Sequence, residues 1–349
     1  MKFRAWLRAY RAAANAALSK VNDRVFYGIC LVLGLNLKTH RTPRDRRLER
    51  CFSVVNLISS VCSILTYSWR VFETEKDISF KDIANMMNNF MLLASSFFTT
   101  LVFARNRDAI RGLLDPKRSL PQHLIFFGMC LAPSLSRTTA QVISATDTLT
   151  NILHFCFCHS MFIMMSFLIV YNDIMIDLTF RNRKTLDEAR WADRDLFNCI
   201  AAKWDTRDRI GTLNSKFANV LLLCYVQFST IFMHTLAGLA GRTMGVRGFI
   251  SMLSILVGIS LALFELSRRS TYLTSISVQT EYLLLKRFFP KPPAELKALR
   301  FREEMDAPKI AVFTQSIPNF VRFIGFSISC AAVILQFDYK LMRRISSQF

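Results

Sequence analysis

His154-Phe-Cys-Phe-Cys-His159 brings four metal-capable side chains into six consecutive residues. On a helix of about 3.6 residues per turn, His154 and Cys158 share a face at i, i+4, while Cys156 points elsewhere. Four ligands therefore do not converge from this one helix, and a zinc-type site is set aside. The sequence has no Gly-rich phosphate loop, zinc-protease motif or nucleophile elbow. An enzyme would have to rest on the histidines alone, so neither enzymatic activity nor a cofactor is expected.

A second polar group in an unusual place is Gln336. It closes the apolar stretch Asn319-Phe-Val-Arg-Phe-Ile-Gly-Phe-Ser-Ile-Ser-Cys-Ala-Ala-Val-Ile-Leu-Gln-Phe337, whose length suits one crossing of a ~30 Å hydrocarbon core. An amide in lipid without a partner is costly, so Gln336 either bonds a neighbouring helix or faces water. Helical spacing puts Ser329 or Cys330, Val333, Gln336 or Phe337, and Lys340 on one stripe. Were several copies to surround an axis, Gln336 would offer amides to a hydrated cation, and Val333 and Phe337 would offer hydrophobic rings able to close by dewetting.

These groups need long apolar elements to hold them, and the composition supplies them. Of 349 residues 52% are hydrophobic and 20% charged, with mean hydropathy +0.28. The apolar residues gather into runs of about 20 separated by charge clusters, the pattern of a polytopic helical membrane protein. Seven spans are expected, at 51–69, 83–104, 121–136, 148–172, 217–240, 248–267 and 318–337. The third is short and carries Pro133. A formal charge of +20 could suggest nucleic acid. However, the basic residues lie between the apolar runs without a nucleic-acid-reading motif, and fit loops beside anionic lipid. With the N-terminus inside, segments 1–50, 105–120, 173–216 and 268–317 carry 35 of the 45 Lys and Arg residues. The positive-inside rule thus favours a cytoplasmic N-terminus, an extracellular C-terminus and an odd number of spans. Removing the third span would place the basic loop 173–216 outside. All nine cysteines but Cys199 fall in or beside apolar segments, as small filler rather than a disulfide framework.

The chain divides accordingly. Residues 1–50 form a cytoplasmic N-terminal region without a secretory signal, with a short re-entrant or interfacial helix over 24–37 and a basic linker. Residues 51–267 hold the first six spans and a ligand pocket. Residues 268–317 form a cytoplasmic helical region, which the resemblance given below implies is an anchor, and 318–349 the last span and a short extracellular tail. Stretches 177–216 and 293–308 alternate charge with Leu, Ile and Phe at helical spacing, and read as helices extending below the membrane. In the outer half of the bundle lie Asn85, Asn88, Asn89, His154, His159 and His234, with Phe155, Phe228, Phe232 and Phe249 at similar depth. Of these, Asn88, His154, His159, Phe228, Phe232 and His234 are the candidate ligand contacts, since an apolar pocket with a few polar anchors suits a small organic molecule. The alternative is that they satisfy one another between helices.

The end of the chain, Ser329-Cys330-Ala-Ala-Val-Ile-Leu-Gln336-Phe337, resembles the close of insect gustatory receptors and, more distantly, of insect olfactory receptors. That close is Thr-Tyr, five hydrophobic residues, then Gln-Phe; here Ser and Cys replace Thr and Tyr. The stretch from Asp205 to Leu222, with Leu213-Asn214 and Phe217, is similar to the family's approach to its fifth helix. Gly34-Leu35 before the basic run Arg41 to Arg50 resembles its N-terminal region. So does the helix expected to start near Glu295 and lead into the last span. The resemblance implies a multi-pass plasma-membrane receptor: a homo- or heterotetrameric, ligand-gated nonselective cation channel whose last helices line one central pore. A small-molecule tastant would be its ligand and the lipid bilayer its solvent, with no nucleic-acid partner. The replaced Thr-Tyr leans toward a bitter-type receptor. The alternatives are an auxiliary subunit that senses no tastant and a transporter, though the latter's paired inverted repeat with broken helices is not seen.

Overall fold

The computed structural model describes residues 23–37, 42–73, 80–114, 148–190, 196–240, 246–288, 307–310 and 313–346. The expected third span, 121–136, lies outside these, as does 293–306 of the expected helix 293–308.

The chain enters through α1, helical over the described residues 23–32, which ends at Gly34 with φ +78°. Leu35 N–H donates to Cys30 O (2.7 Å) and Gly34 N–H to Leu31 O (2.9 Å). This is the paired closure that satisfies a helix's last carbonyls when a left-handed residue follows. A Cβ at Gly34 would fall 2.2 Å from Ser53 Oγ, so only glycine fits both the backbone and the space. Cys30, Leu33, Leu35 and Asn36 are fully buried. The stretch expected to lie in or on the membrane surface is thus packed into the bundle. The carboxylate of Glu49 holds it there, accepting from Asn36 N–H (2.8 Å) and from Arg111 Nη2 (2.6 Å), while Arg111 Nε donates to Asn36 O (3.0 Å).

Helix α2 (Pro43–Glu73) starts on a capping box. Asp45 N–H donates to Thr42 Oγ1 (3.2 Å), and Asp45 Oδ2 accepts from Thr42 N–H (3.0 Å). Pro43 occupies the first helical position, where its missing N–H costs nothing. Helix α3 (Phe80–Arg105) breaks at Asn106 and resumes as α4 (Arg107–Leu113). Then come α5 (Thr148–Arg190), α6 (Leu196–Ala240) and α7 (Val246–Phe288). A two-residue antiparallel hairpin follows, β1 (Lys309–Ile310) and β2 (Phe313–Thr314), and then α8 (Ile317–Ser346).

The helices coincide with the six expected spans that can be compared. Among the described residues, four stretches are long and apolar enough to cross a membrane: Pro43–Trp69, Met86–Arg105, Phe155–Arg190 and Leu196–Thr235. A shorter one, Ile317–Val333, lies in α8. Helices α5, α6 and α7 have 43, 45 and 43 residues. At ~1.5 Å per residue each exceeds 60 Å, about twice a hydrocarbon core. Their basic halves therefore project beyond one end of the bundle, here termed the basic end. There Asn182 Nδ2 reaches Leu273 O (3.4 Å), Lys203 Nζ bonds Ser277, and Arg209 Nη1 donates to Gly112 O (2.9 Å). Ala189, Cys199 and Leu284 form a small separate apolar cluster.

α5 is the hub. It packs against α7, α3, α6 and α2. Phe167 and Tyr171 interlock with Phe103 of α3 and Phe217 of α6, with ring centroids 5.6 to 6.4 Å apart. Of the helix expected to start near Glu295 and lead into the last span, only the end, Ala307 and Pro308, is described. Ala307 and Pro308 are not helical, and the hairpin intervenes. Asn214 explains why: its side chain donates to Ala307 O (3.0 Å) and accepts from Lys309 N–H (2.8 Å). Those backbone groups are thereby tied to a neighbouring helix rather than to their own turn.

Candidate functional site

At the end of the bundle opposite the basic one, α3 and α6 meet through a buried polar cluster. Gln227 Nε2 donates to Asn88 Oδ1 (2.7 Å), and Thr230 Oγ1 lies 3.3 Å from the same oxygen while donating to Gln227 O (2.9 Å). All three side chains are buried, Asn88 completely. Helical geometry makes this face: Gln227, Thr230 and His234 follow at i, i+3, i+7 along α6. The adjacent Asn89 turns the other way, toward α2, with its Nδ2 3.4 Å from Tyr67 Oη. Tyr67 in turn meets the Phe157 ring edge-on at 5.5 Å. Two buried groups stay unfilled among the described residues, the Asn88 Nδ2 donor and the Gln227 Oε1 acceptor. Their chemistry is complementary to a small uncharged molecule bearing a hydroxyl or carbonyl, and such groups are costly to leave bare.

Of the six candidate ligand contacts, Asn88 sits at the centre of this cluster and His234 is buried on the same face of α6. Phe228 and Phe232 stack on each other at 6.2 Å, and Phe228 also lies 6.2 Å from Phe323 of α8. They therefore sit between α6 and the last helix. His159 stacks on the outward-facing Phe155 at 6.4 Å, with its buried Nε2 unbonded. No contact brings it to Asn88. The His154 side chain lies outside the described residues. Among the described residues no three His, Cys, Asp or Glu side chains converge on a metal-sized space. Gln227, Thr230 and Tyr67 were not anticipated from the sequence. Gln227 could have been, since it is a lone amide inside an apolar span, the signal that drew attention to Gln336.

Between the cluster and the last helix, α6 does double duty. Gln227 faces α3, while Tyr225, Phe228 and Ser229 face α8. The Tyr225 ring is 4.9 Å from Phe323, and the Ser229 and Ser327 hydroxyls are 2.7 Å apart. On the far side of α8, Ser329, Val333 and Gln336 are exposed, with Phe326 one turn before them and Cys330 half-buried at the edge. Nothing in the described part of the same chain covers this stripe. The Phe337 side chain lies outside the described residues.

In sequence nothing matches: no protein-family model covers the chain, and no curated protein aligns with it. The fold does match. The insect olfactory receptor OR5 from Machilis hrabei, solved in complex with eugenol, superposes with a TM-score of 0.70. The match covers 91% of this chain and 99% of that one at 12% identity. A second structure of that receptor gives a TM-score of 0.68 over 90% and 97% of the two chains at 11% identity. The chain has the insect olfactory-receptor fold. Within that fold the Asn88–Gln227 cluster lies among membrane helices, and the exposed stripe of α8 lies on the final one.

Proposed function

We propose that the chain is an insect chemosensory receptor of the gustatory type, a ligand-gated nonselective cation channel of the plasma membrane. Four subunits would surround one axis, with α8 of each lining the pore. The observation that carries this reading is the uncovered stripe of Ser329, Val333 and Gln336 beside the apolar run of α8, in a chain of olfactory-receptor fold. An amide on such a face needs water or another subunit. The orientation follows from charge: the basic end lies in the cytoplasm, so Gln336 sits toward the outer end of the pore. The ligand would be a small uncharged organic molecule with a hydrogen-bonding group, held by Asn88 and Gln227. The replaced Thr-Tyr favours a bitter-type compound. Phe228 and Ser229 would carry the binding event to α8. The same replacement also favours a second reading, an auxiliary subunit that conducts only beside another receptor.

The experiment is expression in a non-sensory cell and recording of current during a ligand panel. Eugenol, which a receptor of this fold binds, is the first member and bitter alkaloids follow. Gln336→Ala is expected to alter cation permeability ratios or block, and unaltered permeation would remove the amide from the pore. Asn88→Leu is expected to raise the half-maximal ligand concentration about tenfold or more, since a lost buried hydrogen bond is worth ~1–3 kcal/mol. Saturable uptake without channel current would end the channel reading in favour of a transporter.

A further inference from the structure

At the basic end, the first turns of α2 line an open cleft of about 690 Å³ whose walls are Thr42, Arg44, Asp45, Arg47, Leu48 and Cys51. That volume falls within the ~300–1,000 Å³ common to small-ligand sites. Arg44 and Arg47 are both exposed, and neither forms an ion pair with any other described residue. The one acid in the wall, Asp45, is already engaged. It is buried, and its Oδ2 accepts from the Thr42 hydroxyl at 2.8 Å as well as from the Thr42 N–H. The carboxylate thus caps the helix and leaves the two guanidinium charges without a counter-charge among the described residues.

From the cleft the same side of α2 continues as an apolar ridge. Leu48, Val55, Ile58, Leu65 and Trp69 recur at helical spacing and are all exposed. Only 28% of this span is buried, against 94% in α5, so most of α2 is uncovered by the rest of the chain and apolar enough to face lipid. From Arg47 to Trp69 the helix rises ~33 Å, close to the ~30 Å of a hydrocarbon core. The arginines and Trp69 therefore stand at opposite interfaces, where such side chains anchor a span. A phosphate at the depth of Arg44 and Arg47 would have its acyl chains lying along the Leu48–Val55 side of the ridge. The planar fork of arginine matches phosphate oxygens two at a time.

We infer that this cleft binds the headgroup of an anionic phospholipid in the leaflet at the basic end. The inference needs α2 to span a bilayer and is independent of what the receptor senses. A choline headgroup brings its own cation to the arginines and is disfavoured, whereas a serine headgroup keeps a net negative charge.

The test is native mass spectrometry of the full-length protein in detergent, titrated with phosphatidylserine or phosphatidylcholine of matched acyl chains. Phosphatidylserine should be retained at least tenfold more tightly. With each basic residue near a membrane surface worth ~1 kcal/mol, R44Q/R47Q should weaken phosphatidylserine binding about 30-fold. R183Q/K184Q, which removes the same charge from exposed positions at the same end, should leave it within about twofold. Equal retention of the two lipids would overturn the site, as would R44Q/R47Q binding within about threefold of the parent protein. An equal loss in R183Q/K184Q would overturn it in favour of diffuse charge. Displacement by glycerophosphoserine at equal concentration would overturn the lipid source in favour of a soluble phosphate ester.

Discussion

α5 buries 94% of its apolar stretch and α8 leaves Val321, Phe326, Ile328 and Val333 exposed, although both are built from the same aliphatic and aromatic residues. The difference lies in their neighbours. Four helices surround α5, and some of its buried polar groups are met within the chain: Tyr171 Oη donates to Gln315 Oε1 at 2.9 Å and Thr185 Oγ1 to Arg181 O at 3.0 Å, while the Ser160, Ser166 and Asn172 side chains stay unbonded among the described residues. Among the described residues α8 packs mainly on α6 and α7. One side, with Phe320, Ser327 and Ala331, is packed and settled; the other, ending in Gln336, awaits lipid, water or a further subunit. The chain thus closes its apolar surface around α5 and leaves it open along α8.

Five substitutions would sharpen or break that contrast, read first as thermal unfolding of the detergent-solubilised protein. Phe167→Ala at the hub should cost the most, about 3–5 kcal/mol, because the ring is fully buried among Phe103, Tyr171 and Phe217. Tyr171→Phe should cost ~1–3 kcal/mol, as Gln315 loses its donor in a dry site. Ser327→Ala, on the packed side of α8, should cost ~0.5–1.5 kcal/mol, and adding Ser229→Ala should cost little more, since both remove one bond. Val333→Ala should stay within ~0.5 kcal/mol of the parent and instead change current through the assembled channel. A Val333→Ala subunit as unstable as Phe167→Ala would mean that the outer stripe is covered within the chain, and the contrast would collapse.

The helices were legible because hydrocarbon thickness imposes a length on any apolar run that crosses it, and six runs could be placed from that alone. The basic halves of α5 and α6 were also legible, since charge alternating with Leu, Ile and Phe at helical spacing needs no partner to be read. The stretch before α8 was not. The end of 293–308 reads as helix from its charge pattern, but Asn214, nearly a hundred residues earlier, takes the backbone groups of Ala307 and Lys309, and Gln315 anchors the turn that follows to Tyr171. The run over 24–37 reads as a re-entrant or interfacial helix because it is short. Its burial depends on Glu49 and Arg111, which only the fold brings to Asn36. In the candidate site Asn88 and His234 were visible as polar groups in apolar spans. The pairing of Asn88 with Gln227 was not, because it depends on the rotation of α3 against α6.

The hydrogen bonds around the hairpin have a mechanical consequence for α8. Ser270 Oγ holds Gln315 O at 2.6 Å, Thr271 Oγ1 accepts from Ile317 N–H at 3.1 Å, and Asn319 Nδ2 folds back on Thr314 O at 2.7 Å. The near end of the helix is clamped to α5, α6 and α7 together, while toward the far end Ser229 provides the last hydrogen bond from another helix among the described residues. Such a helix behaves as a cantilever: it does not slide along its axis or turn about it without breaking the clamp, but it can lean. Gln336 stands ~28 Å along the helix from Ile317, so a lean of roughly ten degrees displaces it by about 5 Å. The residues with the greatest leverage are those the chain leaves uncovered.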